Sequence, residues 1–118
     1  MDLGTRQRIC QLVAGIIISD DILDDKEEAF LDRVIKSFGI DDPAREVVLP
    51  LVDHDEAAEH IKQMPKQAQD EALRLLIEAA CVDGQIVDEE RAYLRAVGKA
   101  LELPDAELDK RIASGLAR

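Results

Sequence analysis

Residues 82–103, "VDGQIVDEERAYLRAVGKALEL", lie without a gap on residues 19–40, "SDDILDDKEEAFLDRVIKSFGI". Placing Phe30-Leu31 under Tyr93-Leu94 fixes the offset at 63 (93 minus 30). Asp20 then meets Asp83, Leu23 meets Ile86, Asp25 meets Asp88 and Glu27 meets Glu90. Further on, Val34 meets Val97, Lys36 meets Lys99 and Ile40 meets Leu103. Agreement of residue type in a fixed order, across a loop and its flanking helices, exceeds what shared helical composition gives. The chain therefore reads as a duplicated helix-loop-helix.

Each copy opens with a strongly apolar segment. Ile9, Leu12, Val13, Ile16 and Ile17 follow the spacing of one helical face, and Cys10, Ala14 and Ile18 add a second stripe. In "QDEALRLLIEAACV" the same is true of Leu73, Leu76, Ile77 and Ala80, with Ala72, Leu75, Ala79 and Val82 beside them; only Arg74 and Glu78 interrupt. Helices apolar nearly all round belong at the centre of a domain. They should start near Thr5 and Gln67. After each acidic loop comes an amphipathic helix, built on Phe30, Leu31, Val34, Ile35 and Phe38 and then on Tyr93, Leu94, Val97 and Leu101. Gly39 supplies a helix stop. "DDP" at 41–43 and "LPD" at 103–105 each start a further helix, and Pro50 closes or kinks the first of these.

The resulting expectation is all-α, about seven helices in a single compact domain with an internal pseudo-two-fold repeat. Repeat 1 spans about 5–50, a connector helix about 53–64 and repeat 2 about 66–115, together one domain over 1–118. A composition 47% hydrophobic but 3% aromatic, without Trp, agrees, since Leu, Ile, Val and Ala must fill the core and these pack helix on helix.

A net charge of -11 opposes phosphate backbones and anionic membranes, so nucleic acid and bare lipid are poor partners. Cations or basic proteins suit it, and so does simple solubility. "MDLGTRQRIC" has no apolar stretch after its charges and "LVAGIII" is too short to span a bilayer, so a cytoplasmic protein without direct membrane insertion is expected. Cys10 and Cys81 then read as reduced, buried small hydrophobes.

Asp83, Gly84, Ile86 and Glu90 fall at the fifth, sixth, eighth and twelfth positions of an EF-hand loop. The first and third positions would be Ala79 and Cys81, or Ile16 and Ile18 in the first copy, and none offers a hard cation an oxygen. An EF-hand is excluded. What remains is a half-loop, with carboxylates at the end of one helix and in the first turn of the next. Two readings stay open. In "DDKE", Asp24 can cap the helix while Glu27 reaches back to the cap amide, which is a capping box with no metal. Val87 replaces that cap in the second copy, leaving Asp88 as the available cap and Glu90 less well explained. Gly84 suits a left-handed helix end. Alternatively the clustered carboxylates hold a cation that neutralises their repulsion.

The paired motifs "DDILDDKE" and "DGQIVDEE", with the apolar helices before them, resemble the TerB-like domain of tellurite-resistance proteins, which also forms the N-terminal part of DjlA-type membrane co-chaperones. The resemblance covers nearly the whole chain. It implies a seven-helix fold, acidic residues associated with divalent metal, and a non-enzymatic cytoplasmic interaction module near the membrane in stress-response or metal-handling complexes. By position, the motif residues are Asp83, Gly84 and Glu90, and Asp20 and Glu27; Asp21 stands where the motif has Gly. The metal-ligand candidates are therefore Asp20, Asp21 and Glu27 in the first junction and Asp83, Asp88 and Glu90 in the second. Oxygen-only ligands favour calcium or magnesium, with affinity of about 10⁻⁴ to 10⁻³ M for so incomplete a loop. Protein partners are implied, with no oligomeric state specified.

Other constellations carry less. His54 and His60 are six apart and point in different directions on one helix, so they cannot share a zinc ion, whereas Glu56 and His60 can pair. No glycine-rich phosphate loop or nucleophile elbow occurs. A carboxylate hydrolase using Glu27 and Glu90 is the enzymatic alternative, without a supporting nucleophile or His. A metal-free structural adaptor is the other. Whether the two loops meet depends on whether the central helices run parallel or antiparallel, which sequence leaves open.

Overall fold

In the computed structural model, which describes residues 2–17, 25–39, 54–82 and 84–117, the first helix is started by a side chain outside the apolar pattern. The Asp2 carboxylate accepts the backbone N–H of Thr5 at 2.7 Å, and Asp2 thereby caps α1 (Leu3–Ile17). That hydrogen bond holds the Asp2 carboxyl below the usual carboxylate range. The helix begins two residues ahead of the expected Thr5 because the apolar spacing marks where a core face starts, not where a capped turn does.

The other described helices are α2 (Asp25–Ser37), α3 (His54–Lys62), α4 (Lys66–Cys81), α5 (Asp88–Ala100) and α6 (Asp105–Leu116). No strand occurs among the described residues. The helix expected after Asp42, with the bend at Pro50, lies outside them. A radius of gyration of 13.0 Å is that of one packed unit, about 13 Å for 100 residues.

The repeat reappears in burial, residue by residue. Both ends of α2 and α5 are displaced by 63 positions, and α2 buries Glu27, Phe30, Leu31, Val34 and Ile35 where α5 buries Glu90, Tyr93, Leu94, Val97 and Gly98. In α1 the buried face includes Ile9, Cys10, Leu12, Val13, Ala14, Ile16 and Ile17; the equivalents in α4 are Ala72, Leu73, Leu75, Leu76, Ile77, Ala79 and Ala80. These two faces meet at the centre, α1 against α4, as their all-round apolarity requires. Each also carries its own amphipathic partner, α1 with α2 and α4 with α5, and touches the other copy's. Cys10 and Cys81 are free thiols, and burial pushes that of Cys10 up to about 12.

Helix ends repeat too. At the end of α2, Gly39 has φ of 71° and its N–H donates to Lys36 O at 3.0 Å. At the end of α5, Glu102 has φ of 60°, its N–H donates to Lys99 O at 3.0 Å, and Leu103 N–H donates to Gly98 O at 2.8 Å. This pair of bonds is a Schellman stop, which asks for a left-handed residue. Sequence supplies Gly in one copy and Glu in the other. Arg6 Nη1 donates to Phe38 O at 2.6 Å, tying α1 to the end of α2.

The connector is more than a link. Helix α3 lies along α5 and also touches α1 and α4. Ala57 and Ile61 are fully buried and Met64 nearly so. Their spacing of i, i+4 and i+7 is the signal for this face. Gln69 Nε2 closes its end by donating to Ile61 O at 3.1 Å.

Candidate functional site

Two glutamates stand apart from every other charged residue described. Glu27 is 4% exposed and Glu90 3%, and they are the buried charged residues among the described part of the chain. Each is the third residue of its helix, Glu27 in α2 and Glu90 in α5. Position in the first turn explains why a carboxylate is tolerated there: free backbone N–H groups and the positive end of the helix dipole face it.

At the second junction the bonding is explicit. Val87 is the N-cap of α5, and its backbone N–H donates to Glu90 Oε1 at 3.1 Å. The expectation that Asp88 would take over the cap is thus corrected: Asp88 is the first helical residue, exposed, while Glu90 makes the reach-back half of a capping box. The valine side chain has no acceptor to complete the other half. Upstream, Gly84 adopts φ of 82° and donates its N–H to Cys81 O at 3.0 Å, so the left-handed helix end anticipated there is present. A Cβ at Gly84 would meet no neighbour, so backbone conformation, not crowding, calls for glycine.

At the first junction Glu27 holds the equivalent place on α2, with Asp25 exposed beside it as Asp88 is beside Glu90. Of the six candidate ligands, Glu27, Asp88 and Glu90 are described; Asp20, Asp21 and Asp83 lie outside the described residues. Among the described residues no three His, Cys, Asp or Glu come together as a metal-ligating group.

The pairing of Glu56 with His60 does not form. His60 is half-buried, and its Nδ1 is enclosed without a hydrogen-bond partner among the described residues. The side chain of His54 lies outside them. Lys36 and Lys99, aligned in the repeat, are both exposed. No described helix is long and apolar enough to cross a membrane.

Sequence reasoning singled out Glu27 and Glu90 as the carboxylate pair of the enzymatic alternative but did not give their burial. Their burial was signalled by register: each lies three residues before an aromatic on the buried stripe, Phe30 or Tyr93, and so shares that face. No curated protein and no solved structure matches the chain. The family model of tellurite resistance protein TerB matches residues 46–112, more than half of the 118 residues. With its paired acidic junctions and its helical core, the chain belongs to the TerB family.

Proposed function

We propose that this TerB-family chain is a non-enzymatic interaction module whose acidic helix junctions bind a divalent cation weakly, calcium or magnesium, within protein complexes of stress response or metal handling. The carrying observation is the pair of buried glutamates at the third position of equivalent helices. A carboxylate removed from water needs compensating charge or hydrogen-bond donors, and a cation is one source of it. The donor set is oxygen throughout, which suits a hard cation. Glu90 would act with Asp83 and Asp88, and Glu27 with Asp20 and Asp21. The cation would neutralise each junction and fix the angle between its two helices, shaping the surface offered to a partner.

A second reading is favoured by the bond from Val87 N–H to Glu90 Oε1. In it the glutamates are helix caps, and the module is a structural adaptor without metal.

Thermal melting separates the two. A cation that binds the folded state alone stabilises it by mass action, so about 5 mM calcium or magnesium should raise Tm by roughly 2–6 °C over sodium chloride of equal ionic strength. Asp83→Asn with Glu90→Gln keeps the cap geometry and removes the charge, and should abolish the divalent-specific rise. Equal responses of wild type and double variant to both salts would leave capping as the role of these residues.

A further inference from the structure

Helices α4 and α6 enclose a cleft of ≈ 270 Å³ on the second copy, floored by Ile77 and Gly115. The helices meet closely at one side: a Cβ on Gly115 would fall 2.9 Å from Cys81 Sγ and 3.5 Å from Ile77 Cγ2, so a larger residue there would have to displace the Cys81 side chain. Around the rim stand three cations, Arg74, Lys110 and Arg111, and two carboxylates, Glu78 and Glu107, an excess of positive charge in a chain of net charge -11.

Their engagement differs. Arg74 is held by Glu71 and, at 2.7 Å, by Glu78. Arg111 is held loosely by Glu107, at 3.5 Å. Lys110 has no ion-pair partner, and Ser114, one turn on along the same face of α6, makes no hydrogen bond, among the described residues. The helix dipole does not account for these cations, because the last turn of α6 contains no basic residue. Nor does the repeat require them on α4. The equivalents of Arg74, Ile77 and Glu78 are Gln11, Ala14 and Gly15, so the first copy builds the same central helix with no charge on that side.

We propose that this cleft binds a carboxylate at the end of a short apolar chain. The apolar chain lies over Ile77 and Gly115. The carboxylate takes the ammonium of Lys110, the hydroxyl of Ser114 and, by competing with Glu107, the guanidinium of Arg111. Charged donors on the rim and an apolar floor are the usual division of labour in a small-ligand site. A ligand of this size should bind at about the millimolar level, weakening as salt screens the rim. A free short-chain acid and the C-terminus of a peptide ending in an aliphatic residue both carry this chemistry.

Amide NMR titration of the full chain tests the assignment, with sodium hexanoate, hexan-1-ol, hexylammonium chloride and sodium acetate at one ionic strength. Hexanoate should shift Ile77, Arg111, Ser114 and Gly115 saturably, with hexanol and acetate at least about fivefold weaker and hexylammonium silent at these residues, because charge and chain act together. Acetyl-alanyl-leucine with a free carboxylate, against its amide, identifies the source: saturable binding by the acid form alone marks a peptide terminus, and binding by hexanoate but not the peptide marks a free acid. Lys110→Gln, a change at an exposed residue, should weaken binding at least about fivefold. The proposal is overturned if neither carboxylate shifts these amides, if hexanol matches hexanoate, or if Lys110→Gln binds as wild type does.

Discussion

The two helix stops, at Gly39 and at Glu102, hold the same backbone shape with residues of opposite aptitude. Both have positive φ, both stand five residues after a buried valine of α2 or α5, and both donate to the carbonyl of the equivalent lysine, Lys36 or Lys99. Glycine enters that region freely; a residue with a side chain costs about 1–2 kcal/mol there. The fold therefore dictates the stop, and Glu102 takes the left-handed conformation that the bonds to Lys99 O and Gly98 O close. Tertiary structure has overridden local preference in one copy and agreed with it in the other.

The comparison between copies can be broken at several depths. The largest effects belong to the paired core leucines. Leu94→Ala and Leu31→Ala should each lower stability by about 2–5 kcal/mol in urea unfolding, with Leu94, fully buried, at the upper end. A loss below about 1 kcal/mol at either position would mean that the copies are not structural equivalents. Next comes α3, which has no counterpart in the repeat. Ile61→Val should cost about 0.5–1.5 kcal/mol, and amides of α3 should exchange as slowly as those of α5 if this helix is part of the same core. Exchange as fast as at a frayed terminus would return α3 to the status of a linker.

At the stops themselves the signs should oppose. Glu102→Gly should stabilise by about 0.5–1 kcal/mol, and Gly39→Ala should destabilise by about 1 kcal/mol or more. Calorimetry of the two variants measures this directly, and a shared sign would show that the left-handed conformations are not equivalent. An effect confined to alkaline pH sits at Cys10, which takes the place of Leu73 in the repeat. Its folded thiol is raised from 9.0 to about 12 by burial. In the unfolded chain the thiol therefore loses its proton first, so this contribution to stability is complete below pH 9 and declines as pH rises toward 12. Cys10→Ala should flatten that part of the pH profile, and Cys10 should resist alkylation at pH 8 in the folded protein.

Much of the fold was legible because two signals reinforced each other. Apolar periodicity located α1, α4 and α5 to within about two residues, the usual uncertainty of helix ends, and the 63-residue offset carried one reading to the other copy. The signals lost were single side-chain and backbone features and one short stripe. Asp2 starts α1 through one side-chain bond, Glu102 stops α5 against its propensity, and the short stripe of Ala57, Ile61 and Met64 is modest beside the helices it joins. At the junctions, sequence selected the acidic positions and paired Glu27 with Glu90 but did not give their burial, which depends on which way the first turn faces after docking. The cleft beside Lys110 was invisible, being formed by two helices brought together only by folding.

The seam between α1 and α4 bears on how this protein can be cut. The TerB match begins at residue 46 and so includes α4 but not α1, whose buried face is the surface that α4 packs upon. A fragment trimmed to the matched segment would expose to water the part of the buried apolar face of α4 that rests on α1. Such exposed faces drive self-association. Expressed alone, that fragment should form oligomers or precipitate at micromolar concentration, and co-expression with residues 1–39 should restore a soluble complex.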